Sequence, residues 1–114
     1  MNKDISVSRK INNMEIILNT YLLGVLTALL NEKFDIDGAQ KLLFRPGMID
    51  KLESVGIKKK YIDRLWCCTE LEDLQDLAPH SFQQEIIKLI NLCLNEFNEF
   101  NFLDNIDFIN PLSE

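Results

Sequence analysis

Apolar residues recur at steps of three and four along most of the chain, and this spacing predicts α-helices. The first such stretch begins at Ile11 and ends near Asn31. Between Tyr21 and Leu30 the positions are apolar nearly all round, which indicates that this helix is the buried centre of the fold. Residues 1–8 before it are polar, and we expect them to be frayed.

Three shorter helices are predicted after this first one. Asp35 or Asp37 can cap the first of them. Its inner side is expected to carry Ala39, Leu42, Leu43 and Phe44. Pro46 ends that helix and suits the first turn of the next, which Gly56 ends in turn. The third helix is predicted over residues 58–68, and its inward-facing residues are expected to be Ile62, Leu65 and Trp66.

A short acidic helix and a last long helix complete the pattern. Leu71, Leu74 and Leu77 fall at every third position, which suits a short helix or a 3₁₀ turn. Ser81 followed by Gln84 is a capping-box signature that predicts the start of the last helix. The tail, residues 102–114, is rich in aromatic and acidic residues, and it could either pack back on the bundle or bind a partner.

Together these elements predict an all-α fold, a small single-domain helical bundle of about five to six helices over residues 1–114. A chain of 114 residues fits one domain. The hydrophobic share of 46% and the charged share of 26% are those of a globular protein. No internal repeat or linker divides the chain.

The net charge of −6 is distributed very unevenly. Residues 1–65 carry eight acidic and eleven basic side chains, whereas residues 66–114 carry ten acidic side chains and one basic one, Lys88. The densest acidic run comprises Glu70, Glu72, Asp73 and Asp76. A solvated helix face explains such a run, but a negative field also speeds encounter with a basic partner and repels nucleic acid.

The residue types needed for catalysis or metal binding do not come together in the sequence. His80 is the one histidine, and no Gly-rich phosphate loop, His-Glu-x-x-His or Cys-x-x-Cys spacing occurs. The three cysteines, Cys67, Cys68 and Cys93, are expected to be reduced thiols in or near the core. We therefore expect no enzymatic activity, no cofactor and no bound metal.

The cellular location of the protein and the class of its partner are predicted from the length of its apolar run and from its lysines. The apolar run Tyr21–Leu30 is too short to span a bilayer, which takes about 20 residues. A cytoplasmic protein with no membrane contact is therefore predicted. Three successive lysines, residues 58–60, are interpreted as a solvated turn, so nucleic acid is not expected as a partner.

Three segments carry a resemblance to a known group of proteins. They are Gly24-Val-Leu-Thr-Ala-Leu-Leu30, Ile36-Asp-Gly-Ala39-Gln-Lys-Leu-Leu-Phe44-Arg-Pro46 and Thr69-Glu-Leu-Glu-Asp73. The chain resembles small helical bacterial immunity proteins of polymorphic toxin systems, including contact-dependent growth inhibition and Maf toxins, over residues 15–95. This resemblance implies a protein that binds a cognate toxin and blocks it in the cytoplasm of the producing cell.

The resemblance and the uneven charge lead to one function hypothesis. Nuclease toxins, RNases especially, present basic clefts that an acidic inhibitor can cover. The predicted partner-binding residues are Glu70, Glu72, Asp73, Asp76, Phe102, Asp104 and Phe108, and Tyr61 is a further candidate anchor. The alternative is a helical adaptor or self-associating structural subunit that uses the Phe-rich tail as its contact surface. The sequence leaves the oligomeric state open.

Overall fold

Six α-helices contain most of the residues that the structure describes. The computed structural model describes residues 2–42 and 45–100, with side chains from residue 9 onward. The helices are α1 (Asn2–Leu30), α2 (Ile36–Leu42), α3 (Pro46–Ser54), α4 (Lys59–Thr69), α5 (Leu71–Leu77) and α6 (Pro79–Glu96). The prediction of an all-α bundle of five to six helices is therefore confirmed.

The two long helices, α1 and α6, pack against each other along the centre of the bundle. The Asn19 side chain of α1 donates a hydrogen bond of 2.9 Å to the carbonyl oxygen of Cys93 in α6. The short helix α5 packs on α6, and α3 packs on α4. The residues with no exposed surface come from all six helices and include Leu26, Ala39, Ile49, Leu65, Leu71 and Ile86. One continuous apolar core therefore holds long and short helices together.

Several turns follow the local signals in the sequence. Asp35 precedes α2, and its Oδ1 accepts a 2.7 Å hydrogen bond from the N–H of Gly38, as expected of an N-cap carboxylate. Pro46 opens α3, as predicted. Gly56 follows α3 with a φ of 105°, a conformation that side-chain-bearing residues rarely adopt. These positions were predictable because each depends on only a few neighbouring residues.

Two helix starts differ from the sequence predictions. Helix α1 begins at Asn2, although residues 1–8 were expected to be frayed. Helix α6 begins at Pro79, so Ser81 lies inside its first turn and does not cap it. The capping-box prediction was therefore wrong, because proline at the first helical position starts this helix without needing a side-chain cap. Gln84 instead lies 3.1 Å from the ring Nε2 of His80.

Some side chains that were predicted to point into the core are exposed instead. On α4 the buried residues include Tyr61, Leu65 and Cys68, and Trp66 lies about 100° round the helix from Leu65. Trp66 is therefore exposed and not part of the core, as is its neighbour Cys67. The predicted inward residue Leu42 is also exposed, and Leu43 and Phe44 lie outside the described residues.

One segment among the described residues, Arg9–Leu30, is long and apolar enough to cross a membrane by length and composition alone. Half of its most apolar window is buried inside the fold. A helix at the centre of a bundle passes the same test, because its apolar residues face other helices instead of lipid. The cytoplasmic location stays a prediction.

Candidate functional site

The four predicted carboxylates lie together at the corner between α4 and α5. Glu70 joins the two helices, Glu72 and Asp73 lie in the first turn of α5, and Asp76 follows one turn later. All four are exposed. Within the described part of the chain, no lysine or arginine nitrogen lies within 4.0 Å of these carboxylates. We call these four residues the acidic patch.

The acidic patch is divided between two sides of α5 because the helix turns by about 100° per residue. Glu72 and Asp76 are four positions apart and lie on one side, and Gln75 lies about 60° from Glu72 in the direction away from Asp76. Asp73 and Leu77 are also four apart and lie on the adjacent side. Glu72 is also fixed in position, because its Oε2 accepts a 2.7 Å hydrogen bond from the Gln40 amide of α2.

Leu77 is a surface residue that the sequence pattern did not identify. Its side chain is 85% exposed at the end of α5, whereas Leu71 is fully buried. A three-residue spacing keeps leucines on one face of a 3₁₀ helix, but in an α-helix two such steps rotate the side chain by about 120°. Counting α-helical angles from Leu71 would have found it. The acidic patch therefore has an apolar residue beside it.

A second polar cluster lies inside the bundle, between α4 and the end of α6. The Arg64 and Glu96 side chains are each only 8% exposed and form an ion pair of 3.0 Å. Glu96 Oε2 also accepts a hydrogen bond from Lys60 Nζ at 3.1 Å and one from the Tyr61 hydroxyl at 3.2 Å. We call these four residues the buried ion network.

This network corrects the prediction that Tyr61 is a partner-binding anchor. Tyr61 is only 4% exposed, its hydroxyl binds Glu96, and its ring stacks on Phe100 with centroids 6.0 Å apart. An anchor must be available to the partner, so this tyrosine belongs to the core. The other predicted aromatic anchors, Phe102 and Phe108, and the tail carboxylate Asp104 lie outside the described residues.

The protonation behaviour of the network follows from its geometry. Burial opposes ionisation of Glu96, but hydrogen bonds from Arg64, Lys60 and Tyr61 outweigh it and lower the pKa of this carboxyl below its usual value. The hydrogen bond to Glu96 raises the pKa of Lys60. Burial, and then the charge of Glu96, raises the pKa of Tyr61 to about 12. The network therefore holds Glu96 as a carboxylate and Tyr61 as a phenol at neutral pH.

Two of the three lysines at residues 58–60 make intramolecular contacts at the start of α4. The backbone N–H of Lys58 donates a 2.9 Å hydrogen bond to Oε2 of Glu15, a carboxylate that is almost fully buried. Lys60 pairs with Glu96 and, at 3.3 Å, with the exposed Glu99. Two of these lysines thus help to hold α4 against α1 and α6.

The family of the chain is established by sequence comparison. A family model matches residues 9–106, which is 98 of the 114 residues. The chain belongs to the DUF3969 family. The description of this family is "protein of unknown function", and it contains no link to immunity proteins or toxins. No curated protein and no solved structure matches the chain. The DUF3969 match includes the acidic patch, Leu77 and the buried ion network.

The three cysteine side chains of this DUF3969 protein are held as protonated thiols. Burial raises the pKa of the thiols of Cys67, Cys68 and Cys93, which disfavours the reactive thiolate. Within the described residues, no group of three or more His, Cys, Asp or Glu side chains could hold a metal ion. At the surface, the acidic patch and Leu77 bring charged and apolar side chains together.

Proposed function

We propose that this protein is an immunity protein, which binds a cognate toxin of a contact-dependent inhibition system in the cytoplasm and neutralises it. The proposed toxin is a nuclease, an RNase in particular, with a basic surface. The resemblance to immunity proteins over residues 15–95 suggests this class of partner. The observation that carries the binding role is the exposed acidic patch on α5, which the described part of the chain leaves without cationic partners.

The surface chemistry of α5 fits a basic protein as its partner. Four carboxylates within seven residues create a negative field that accelerates encounter with a cationic surface. Charged groups at the rim of an interface contribute mainly to association rate, whereas desolvated apolar residues contribute most of the affinity. Leu77 provides such an apolar contact beside Asp73 and Asp76. The same field disfavours a polyanion such as nucleic acid as the partner.

The function is tested first by reading the neighbouring gene, which the proposal expects to encode a secreted protein that ends in a basic nuclease domain. That domain is then the binding partner in the following experiment, and its absence would contradict the proposal. The association of this domain with the inhibitor is measured by stopped-flow kinetics at several salt concentrations. Changing the acidic patch to lysine (Glu70→Lys, Glu72→Lys, Asp73→Lys and Asp76→Lys) is expected to lower the association rate constant by at least about tenfold and to remove its salt dependence.

A matched variant distinguishes an effect of the acidic patch on the association rate from an effect of net charge alone. Asp37, Asp50, Glu53 and Asp63 are four exposed acidic residues outside it. Changing these four to lysine alters the net charge by the same amount and is expected to slow association much less. Equal slowing by both variants would show that no particular face is recognised. An unchanged rate in the acidic-patch variant would refute the assignment of this face.

A second candidate function is a self-associating helical subunit, and the exposed side of α1 favours it. Met14, Ile17 and Tyr21 are exposed apolar residues at steps of three and four, as in a helix that packs on another helix. The Phe-rich tail, the contact surface expected from the sequence, lies outside the described residues. Light scattering of the isolated protein distinguishes the two functions. A stable oligomer that Ile17→Lys dissociates would support this second one.

A further inference from the structure

A cavity of about 720 Å³ lies between the end of α1, the loop that follows it and the corner between α5 and α6. Its apolar wall is formed by Leu29, Leu30, Phe34, Phe82 and Ile86. Leu29, Phe82 and Ile86 are themselves buried in the core, so this wall is held by the packing of α1 against α6. Cavities of about 300–1,000 Å³ with apolar walls are typical of sites that enclose a ligand group.

The polar edge of the cavity favours a cation. Glu32 and Asp35 contribute two carboxylates to the lining, against one lysine, Lys33. The cavity lies between the C-terminal end of α1 and the N-terminal end of α6, so the negative end of one helix dipole and the positive end of the other offset each other, and the two carboxylates decide the sign of the charge. Asp35 is held in place by its hydrogen bond from Gly38. The edge therefore offers fixed negative charge beside an apolar wall.

The cavity and the acidic patch both involve α5, although none of the four acidic-patch residues lines the cavity. Gln75 of α5 lines the cavity, Glu72 lies about 60° from it around that helix, and Asp76 lies about 100° from it. The hydrogen bond between Gln40 and Glu72 ties α2 to α5. A partner that covers both sides of α5 therefore meets the carboxylates and the apolar recess.

We propose that this cavity receives an aromatic side chain of the basic partner protein, with a neighbouring lysine or arginine of the partner at the carboxylate edge. This inference rests on the proposed function and deepens it, because it places an anchoring pocket beside the helix that carries the acidic patch. Interfaces obtain most of their affinity from a few aromatic residues in desolvated pockets, often flanked by charged pairs. The apolar wall and the negative edge match the two parts of such an anchor.

Two small molecules with the same ring and opposite charges test the chemistry of the pocket. Tryptamine carries an indole ring and an ammonium group, whereas indole-3-propionate carries the same ring and a carboxylate. Each is titrated into ¹⁵N-labelled full-length protein, and backbone amide shifts are followed by NMR. Tryptamine is expected to shift the amides of Leu30, Phe34, Gln75 and Phe82, with a dissociation constant on the order of 1 mM. Indole-3-propionate is expected to bind at least about fivefold more weakly.

A matched pair of substitutions on α6 locates the binding. Gln83 lines the cavity and is exposed, so Gln83→Trp places a large side chain over it. Asn91 is exposed on the same helix outside the cavity, so Asn91→Trp adds the same side chain elsewhere. Tryptamine affinity is expected to fall at least about tenfold in the Gln83 variant and to stay unchanged in the Asn91 variant. Retained amide spectra show that both variants are folded.

Three outcomes would overturn the inference. They are no shifts at the cavity with roughly 10 mM tryptamine, equal affinity for both indoles, and unchanged tryptamine binding in Gln83→Trp. The toxin experiment distinguishes a failure of the pocket inference from a failure of the proposed function. If the acidic-patch variant loses toxin association while Gln83→Trp binds the toxin with unchanged dissociation, the function stands and the pocket is refuted. If tryptamine binds as expected but no toxin associates with the native protein, the cavity is a site for a cationic aromatic group and the proposed function is refuted.

Discussion

Replacing Glu96 with glutamine removes the negative charge from the buried ion network while keeping the size of the side chain. In the native protein this carboxylate accepts hydrogen bonds from Arg64, Lys60 and Tyr61 at 3.0, 3.1 and 3.2 Å. A glutamine accepts through one oxygen only, and its NH₂ group faces a donor. Arg64, whose side chain is 8% exposed, is then left as a buried cation without a counter-charge. Removing one partner of a buried ion pair costs about 3–5 kcal/mol of unfolding free energy.

Part of this cost is offset because the glutamine oxygen still accepts one hydrogen bond. We therefore expect Glu96→Gln to lower the free energy of unfolding by about 3 kcal/mol. With a urea m-value of about 1.5 kcal/mol/M for a protein of this size, the unfolding midpoint is expected to fall by about 2 M. Circular dichroism at 222 nm measures this midpoint, because six α-helices contain most of the described residues.

Glu99→Gln is the matched control for this prediction. Glu99 contacts the same Lys60 nitrogen, at 3.3 Å, but its side chain is 70% exposed. The same substitution there is expected to change the free energy of unfolding by less than about 0.5 kcal/mol, because exposed ion pairs contribute little. If the two variants unfold at urea midpoints within about 0.3 M of each other, burial does not strengthen the network and the reasoning is wrong.

Three further predictions concern pH, backbone conformation and thiol access. Because the folded pKa of Glu96 lies below its ordinary value of 4.5, its stabilisation is complete above that pH and is lost as the pH falls through the folded pKa. Acid unfolding of Glu96→Gln should therefore depend less steeply on pH below 4.5 than that of the native protein, and parallel curves would contradict this. Gly56→Ala is expected to destabilise by about 1–2 kcal/mol in urea titrations, because φ is 105° and the added Cβ would lie 3.1 Å from Ile11. A neutral effect would show that the turn relaxes. A disulfide reagent such as DTNB should modify only Cys67 in the folded protein, and slowly, since burial and nearby carboxylates raise its pKa. Cys68 and Cys93 should react only after unfolding, so three fast-reacting thiols would contradict the packing.

Part of the surface chemistry was predictable from the sequence, and part was not. The acidic patch was found because four carboxylates within seven residues are visible in one dimension, and adjacent helical residues of this charge density seldom become buried. The exposure of Leu77 was not predicted, since it depends on whether α5 is an α-helix or a 3₁₀ turn, and the sequence left both open. The cavity could not be predicted, because Leu29, Gln75 and Phe82 meet only after three helices pack.

The sequence by itself determined the helices, the turns at Asp35, Pro46 and Gly56, and the concentration of negative charge after residue 65. These features depend on interactions within a few residues or on composition alone. Only the tertiary structure decided that Glu96 and Arg64 are buried together. Their burial depends on the rotation of α4 and α6 about their axes, which is set by packing between residues 32 positions apart.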